Sequence, residues 1–183
     1  VYVNEPIDRV LLSIANDLLF DLMPDRIHRS CKSYQSGIGC GKVVLEVSWE
    51  MTRVPGDECL GWKSDLSKYF DSVPLRYIDR HGHSALITVL RKYYHSDLYF
   101  DTDNRLQRSY QSLKQGCAVA SWLADVLLYE LDEELSGMNG YYVRYSDDML
   151  FVGEDYPKAM AVLQDRLAEM EMKLNPKKVE YLT

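Results

Sequence analysis

Two adjacent aspartates, Asp147 and Asp148, stand between two short runs of mainly aromatic and aliphatic residues. The runs, residues 141–144 and 149–152, predict two β-strands joined by a tight turn. Asp and Ser are common in such turns because their short side chains bond the nearby backbone. Taken alone, the pair is therefore equally consistent with an ordinary polar hairpin tip.

A third carboxylate, Asp65, comes at the end of another apolar stretch. If residues 59–66 form a strand beside the 141–153 hairpin, then Asp65, Asp147 and Asp148 converge. Like charges at close range repel, so such a cluster needs a positive partner. Hard divalent cations with oxygen ligands meet that need, and two of them about 4 Å apart can activate a 3′-hydroxyl and stabilise a leaving pyrophosphate.

Four blocks of the sequence combine acidic, aromatic, glycine or lysine residues in a fixed order along the chain. They are Asp65 to Asp71, with two aromatics between the acids; Gln115-Gly116 ahead of Leu123-Ala124-Asp125; Tyr145-Ser146-Asp147-Asp148; and Leu174-Asn175-Pro176-Lys177-Lys178. In these blocks the chain resembles reverse transcriptases of the bacterial retroelement type, which includes group II intron maturases, retrons and diversity-generating retroelements. The resemblance covers most of the chain. Relatives usually have proline where this chain has Lys114, which leaves the subfamily open.

The resemblance implies an α+β fold, the palm of a right-hand polymerase with part of its fingers. The palm would be an antiparallel sheet backed by helices. Residues 1–58 would form the partial fingers and residues 59–183 the palm, with the thumb absent. The implied activity is RNA-directed DNA polymerisation, the transfer of deoxynucleotides onto a primer 3′-hydroxyl.

The resemblance also implies roles for the acidic residues and for one lysine. Asp65 and Asp147, with the carbonyl of Leu66, would hold Mg²⁺, or Mn²⁺ in its place. Asp148 would be an accessory ligand or would hold the hairpin. Lys178 would protonate the departing pyrophosphate, because an ammonium beside phosphates is both a cation and an acid. A solvated surface charge is the alternative for Lys178.

Residues on the substrate side follow from the same blocks. Phe70 would pack under the incoming sugar and exclude a 2′-hydroxyl, or it is only a core residue. The backbone amides of Lys68 and Tyr69 could bind phosphate oxygens. Gln115 would lie near the nascent base pair, where Gly116 lets the backbone approach, or Gln115 is a loop side chain. Tyr145, which opens the aspartate box, completes the set that we expect to bind substrate.

Two rival functions remain at this point. One is a degenerate palm that serves only as a nucleic-acid or protein scaffold, although a scaffold gains nothing from repelling carboxylates. The other is a nucleotide cyclase, whose palm also joins carboxylates and metal. That alternative leaves the glutamine-glycine block and the lysine block without a role.

The composition fits one domain or a large part of one: 183 residues, 46% of them hydrophobic. The net charge of −7 runs against phosphate binding. The metal-binding carboxylates explain part of this charge, and the basic fingers hairpin and thumb of such enzymes lie outside the chain. Residues 1–183 alone are therefore expected to be nearly inactive. The expected partners are an RNA template, a DNA primer, deoxynucleoside triphosphates and a structured retroelement RNA.

No apolar run approaches the roughly 18 residues of a membrane span, and no signal peptide opens the chain. The four cysteines are widely spaced, which favours reduced thiols and a cytoplasmic location.

Helical periodicity predicts the elements that must position these residues. The predicted helices cover residues 6–22, 42–54, 74–80, 84–94, 119–135 and 155–172. Asn4 and Asp155 are the expected N-caps of the first and last of them. The first helix is expected to bury Ile7, Val10, Leu11, Ile14, Ala15, Leu18, Leu19 and Leu22. Residues 96–112 are expected to be a loop or irregular hairpin, and His81 and His83 to be loop residues, because two histidines are too few for a zinc site.

Overall fold

A computed structural model of the protein describes residues 2–53, 60–74, 76–77, 90 and 98–182. Within these ranges the helices are α1 (Pro6–Leu22), α2 (Cys40–Met51), α3 (Tyr69–Ser72), α4 (Val119–Val126), α5 (Tyr129–Ser136) and α6 (Tyr156–Glu169), with a 3₁₀ turn at Pro24–Arg26. The strands are β1 (Gly61–Asp65), β2 (Leu98–Phe100), β3 (Leu106–Arg108), β4 (Tyr141–Tyr145), β5 (Asp148–Val152) and β6 (Glu180–Leu182). The predicted strand of Asp65 and the predicted 141–153 hairpin are both present.

The strands that carry the aspartates belong to one antiparallel sheet with the order β4-β5-β1-β6. β1 lies at its centre between the hairpin strand β5 and the strand β6, which follows the lysine block. β2 and β3 form a separate two-stranded hairpin within the segment expected to be a loop or irregular hairpin. The sheet therefore joins three of the four sequence blocks across more than 110 positions of the chain.

The helices α5 and α6 back this sheet and pack against each other. Trp62 of β1 is fully buried, stacks on Phe151 of β5 at 5.9 Å between ring centroids, and donates from Nε1 to the carbonyl of Tyr156 at 2.9 Å. The core continues through the predicted inward residues of α4 and α5: Leu123, Val126, Leu127, Leu131 and Leu135 are all buried. Burial of these side chains supplies the main force that holds β1 in place.

The buried face of α1 differs from the predicted one. Among the eight predicted residues only Leu19 is buried, while Ile7 and Leu22 are 75% and 69% exposed. The buried side chains are Leu12 and Leu19, seven positions apart, and they lie on the side of α1 that contacts α4. α1 is apolar around most of its circumference, so periodicity alone did not identify the side that packs.

Several predicted boundaries and caps also change. The helix expected at 42–54 is α2, which begins at Cys40, and the helix expected at 119–135 is divided into α4 and α5. Glu5 rather than Asn4 occupies the N-cap position of α1, and Asn4 donates instead to the sulfur of Cys117 at 3.3 Å. Asp155 occupies the N-cap position of α6 without a side-chain cap bond, because its Oδ2 accepts the backbone N–H of Asn139 at 3.0 Å.

The helix predicted at 84–94, most of the one at 74–80, and His81 with His83 lie outside the described residues. Among the helices that the structure describes, none is long and apolar enough to cross a membrane.

Gly61, at the start of β1, lies against the backbone of β5. A Cβ built on Gly61 would lie within hard contact of the Phe151 carbonyl oxygen, at 2.3 Å. We therefore expect Gly61→Ala to destabilise the fold by about 1 to 3 kcal/mol, since neither central strand can move freely. Gly41→Ala in the first turn of α2 is the matched control, because nothing lies within 4 Å of its added Cβ. Urea unfolding should show a small increase in the free energy of unfolding for the control. A Gly61→Ala variant as stable as the parent would contradict the close packing of β1 against β5.

Candidate active site

Antiparallel pairing of β1 and β5 places Asp65 directly opposite Asp148. Asp65 is the last residue of β1, and Asp148 is the first residue of β5. Directly opposite residues on antiparallel strands project from the same face of a sheet. Asp65 is buried, with 3% of its surface exposed, whereas Asp148 is exposed. The pairing predicted between the strand of Asp65 and the aspartate hairpin is therefore present.

The hairpin turn consists of the two residues between β4 and β5. Ser146 has φ 58°, a left-handed conformation that suits the first central position of a two-residue hairpin turn. Its hydroxyl is within 3.0 Å of the Tyr34 hydroxyl. The backbone N–H of Leu66 donates to the carbonyl of Asp147 at 3.1 Å, so the end of β1 is tied to the turn itself.

Asp65 is already paired with a cation from the lysine block. Lys178 Nζ lies 2.7 Å from Asp65 Oδ2, and Asn175 Nδ2 donates to Asp65 Oδ1 at 3.2 Å. The backbone N–H of Asn175 also donates to the Asp65 carbonyl at 2.8 Å. The sequence predicted a role for Lys178 at the site, whereas Asn175 was named only as a member of the lysine block. The hydrogen bond of Asp65 raises the pKa of Lys178, so Lys178 carries its proton at neutral pH.

The carboxylates influence one another as expected for a cluster. Partial loss of hydration raises the pKa of Asp148, and the negative charges of Asp147 and Asp65 raise it further, against the opposing effect of Lys178 and Lys63. The acidic residues are thus close enough to disfavour one another's ionised forms. A cation at this position would relieve the repulsion.

The donor set fits hard divalent cations, but it is not assembled as a finished cage. Within the described ranges, no three His, Cys, Asp or Glu side chains are grouped closely enough to hold a metal ion. Instead, the ammonium group of Lys178 lies beside Asp65. Metal binding by Asp65 would require Lys178 to release this carboxylate. Carboxylate oxygens and the Leu66 carbonyl have the chemistry that Mg²⁺ and Mn²⁺ prefer.

The residues after β1 form a short helical turn beside the aspartates. Lys68 is exposed, with φ 49°, and precedes α3. Tyr69 is 2% exposed, and its hydroxyl donates to the carbonyl of Ala124 at 2.6 Å, so its side chain belongs to the core. Only the backbone of Tyr69 is therefore available for the phosphate role. Phe70 is half-buried and packs edge-on against Tyr69, with 5.7 Å between ring centroids.

The glutamine-glycine block adjoins Phe70 through the backbone. The N–H of Leu113 donates to the Phe70 carbonyl at 2.6 Å. Gln115 and Gly116 are exposed, and Gly116 has φ 104°, a conformation that favours glycine. Tyr145 is half-buried at the end of β4, directly opposite Asp148. The structure thus brings Phe70 and the segment that leads to Gln115 together beside the end of β1.

A buried ionic network lies behind the aspartate turn, and sequence reasoning missed it. Arg144 and Asp132 have fully buried side chains, and Arg144 Nη2 lies 2.7 Å from Asp132 Oδ2. Burial is the largest influence and acts to lower the pKa of Arg144, but Asp132, Cys31 and Tyr69 together raise the pKa overall. The Tyr142 hydroxyl donates to the same Asp132 at 2.9 Å. Nothing in the local pattern of β4 separates a buried arginine from an exposed one.

Asp125 is a second buried acid of this region, in the last turn of α4. Ser33 Oγ donates to Asp125 Oδ1 at 2.5 Å, whereas Asp125 Oδ2 has no hydrogen-bond partner in the part of the chain that the structure describes. Burial raises the pKa of Asp125 to about 6, although the charge of Arg144 and the bond from Ser33 act to lower it. At neutral pH the buried carboxylate is ionised at a cost to stability.

The raised pKa predicts a pH-dependent effect of Asp125→Asn. Protonation of Asp125 stabilises the fold fully below its unfolded pKa of about 4, and this contribution is lost as the pH rises through about 6. Asparagine has no carboxyl proton to lose. The free energy of unfolding of Asp125→Asn, relative to that of the parent, should therefore increase by up to about 3 kcal/mol between pH 4 and pH 8. Urea unfolding across this pH range measures the difference in free energy of unfolding between Asp125→Asn and the parent, with Asp165→Asn on the exposed side of α6 as the control. A difference that stays constant with pH would contradict the raised pKa of Asp125.

The fold and the site together define the class of protein. Residues 7–183 match the family described as reverse transcriptase (RNA-dependent DNA polymerase), and the chain belongs to this family. The match supports the resemblance that the four sequence blocks indicate, at the level of the family.

Solved structures of similar fold include telomerases. The chain is 14% identical to telomerase from Candida albicans in complex with a TWJ fragment of telomeric RNA, with a TM-score of 0.62 over 97% of this chain and 34% of that one. It is 12% identical to apo telomerase from Candida tropicalis, with a TM-score of 0.60 over 97% of this chain and 36% of that one. The chain thus spans about a third of the length of these telomerases. Among curated protein sequences, none matches it.

Proposed function

We propose that this chain is the catalytic part of an RNA-directed DNA polymerase, in which two divalent cations assist the transfer of deoxynucleotides onto a primer 3′-hydroxyl. The observation that carries the proposal is the register of β1 and β5, which sets Asp65 opposite Asp148 with Asp147 in the adjoining turn. Membership of the reverse transcriptase family supports it. The substrates would be an RNA template, a DNA primer and deoxynucleoside triphosphates.

Asp65, Asp147 and the carbonyl of Leu66 would hold the cations, with Asp148 as an accessory ligand. Mg²⁺ would be the usual ion and Mn²⁺ a substitute. When bound, such ions promote ionisation of the primer hydroxyl and offset the charge that develops on pyrophosphate. Before they bind, Lys178 neutralises Asp65, and its proton is then available for the leaving pyrophosphate once the ion pair opens.

Phe70 would pack against the sugar of the incoming nucleotide and exclude ribonucleotides. The backbone amides of Lys68 and Tyr69, at the first turn of α3, would contact triphosphate oxygens. Gln115 and Gly116 would lie beside the nascent base pair, and Tyr145 would flank it from the hairpin. The exposure of Gln115 and Gly116 and the contact between Leu113 and Phe70 support this arrangement.

The boundary between partial fingers (1–58) and palm (59–183) is part of this proposal. So is membership of the bacterial retroelement group, such as group II intron enzymes, with a structured retroelement RNA as partner. The telomerase in the Candida albicans structure is bound to telomeric RNA, which supports a structured RNA partner in general terms. A cytoplasmic location remains a prediction from the spacing of the cysteines.

The deciding experiment is primer extension by the full-length protein, rather than by residues 1–183 alone, on an RNA template annealed to a DNA primer, with Mg²⁺ and one complementary deoxynucleotide at a time. Incorporation that follows the template base is the expected result. Products formed from single nucleotides without a template would support a cyclase instead. Absence of both, with a folded protein, would refute the proposal.

A second candidate function is a nucleic-acid scaffold built on a palm that has lost its chemistry. The ion pair between Lys178 and Asp65 favours it, because this pair fills the position beside Asp65 without metal. A scaffold should bind a template–primer duplex without any requirement for Asp65 or for Mn²⁺. Binding of Mn²⁺ that depends on Asp65 would exclude this alternative.

A further inference from the structure

We propose that Arg144, held by Asp132, is a positioning residue that fixes the aspartate turn in the geometry needed to hold divalent cations. The inference rests on the proposed function, and it assigns to the buried ion pair a role in the site in addition to its role in the fold. Arg144 lies on β4, two residues before Ser146 of the turn, and Asp132 lies in the first turn of α5.

The guanidinium group of Arg144 connects three elements. Nε and Nη2 bond the two oxygens of Asp132, at 2.8 and 2.7 Å. Nη2 also donates to the carbonyl of Asp125 at 2.8 Å, and Nη1 to the carbonyl of Ala124 at 3.3 Å. These two carbonyls belong to the last turn of α4, whose C=O groups a helix leaves without partners.

The remaining contact reaches the turn. Nη1 of Arg144 donates to the carbonyl of Ser146 at 3.1 Å. Ser146 has φ 58°, a conformation that non-glycine residues adopt only when their surroundings hold them there. Its carbonyl carbon is joined directly to the backbone nitrogen of Asp147. The orientation of the peptide that carries Asp147 is therefore fixed by a side chain anchored in α4 and α5.

The main chain of Arg144 is held as firmly as its side chain. Its N–H donates to the carbonyl of Ser30 at 2.9 Å, and its carbonyl accepts the N–H of Lys32 at 2.9 Å. With the side chain fully buried, each N–H of the guanidinium has an acceptor within the site. Lysine has no planar fork and only three N–H groups, so it can keep the charge beside Asp132 but cannot reproduce all these contacts.

Arg144→Lys in the full chain tests this role. We expect it to raise the dissociation constant for Mn²⁺, followed by electron paramagnetic resonance, by about tenfold, since displaced supporting groups weaken metal sites by that order. We expect kcat for primer extension to fall by about ten- to a hundredfold while KM for the deoxynucleotide stays within about twofold. Both measurements are made at a temperature at which thermal melting shows the variant to be folded.

Leu19→Ala is the matched control. Leu19 is fully buried in α1 and makes no hydrogen bond to Arg144, and its truncation should lower the melting temperature. A variant that is merely destabilised, as this one is, should keep the parent's Mn²⁺ affinity and kcat while it is folded. If Arg144→Lys fails to fold, Arg144→Met combined with Asp132→Leu replaces it, because removal of both members of the pair leaves neither of them as an unpaired ion in the interior.

The outcomes distinguish failure of the positioning role of Arg144 from failure of the proposed polymerase function. Weakened Mn²⁺ binding and lowered kcat in the Arg144 variant, with a normal control, support the positioning role. An Arg144 variant indistinguishable from Leu19→Ala in both measurements would overturn it and leave the polymerase proposal intact. A parent protein that neither binds Mn²⁺ nor extends a primer would overturn the proposed function and this inference together.

Discussion

Asp147→Asn is expected to reduce RNA-templated primer extension by about a thousandfold or more, equivalent to about 4 kcal/mol of transition-state stabilisation. Asparagine has nearly the same shape as aspartate and keeps one oxygen, so the turn can retain its conformation. What it loses is the negative charge in the turn between β4 and β5, next to the residue that pairs with Asp65. Because charge is what attracts and orients the cations, the loss should appear in kcat.

Asp165→Asn is the appropriate control for this prediction. Asp165 is an exposed acid in the middle of α6, so its variant carries the same change in net charge away from the turn. It should extend primers at the parent's rate. Primer extension by Asp147→Asn at a rate within a few-fold of this control would remove Asp147 from the catalytic centre.

Phe70→Ala is expected to relax discrimination against ribonucleotides. The ring of Phe70 is only half-buried, and its backbone carbonyl is held by the N–H of Leu113. Such a ring can exclude a 2′-hydroxyl by steric conflict, which is discrimination by rejection of the wrong substrate. Its removal should therefore raise kcat/KM for a ribonucleotide relative to the matching deoxynucleotide by about ten- to a hundredfold.

Single-nucleotide incorporation with each sugar measures this ratio. Phe70→Tyr keeps a ring at the same position and should preserve the parent's discrimination. The competing explanation is that Phe70 serves only the core, where it packs against Tyr69. In that case Phe70→Ala would lower the melting temperature and leave the sugar ratio unchanged.

The elements of the site that could be predicted from the sequence are those fixed by local pattern. A strand that ends at Asp65 and a hairpin with Asp147 in its turn follow from apolar runs and turn residues, and both are present. The long helices α1 and α6 were predicted from the helical spacing of their apolar residues. Their partners were harder to infer: α1 has apolar residues on most sides, and only the contact with α4 determines that Leu12 and Leu19 are buried.

The buried ionic network of Arg144 and Asp132 could not be predicted, because it forms between residues that are far apart in the sequence. Arg144 within a strand is normally expected to be exposed. It is buried because Asp132, twelve positions earlier, and two helix carbonyls come to lie within hydrogen-bond distance of it. The pairing of Lys178 with Asp65 likewise spans 113 positions. Such contacts arise from the tertiary fold, and a single sequence contains no periodic signal for them.

Asp65→Asn and the parent should differ in Mn²⁺ binding, and electron paramagnetic resonance during titration of each full-length protein with Mn²⁺ measures this difference. We expect the parent to bind Mn²⁺ with the spectral signature of two neighbouring ions and Asp65→Asn to lose this signature. Undiminished two-ion binding by Asp65→Asn, or a folded parent that binds no Mn²⁺, would show that Asp65 and the aspartate turn do not form a two-metal site.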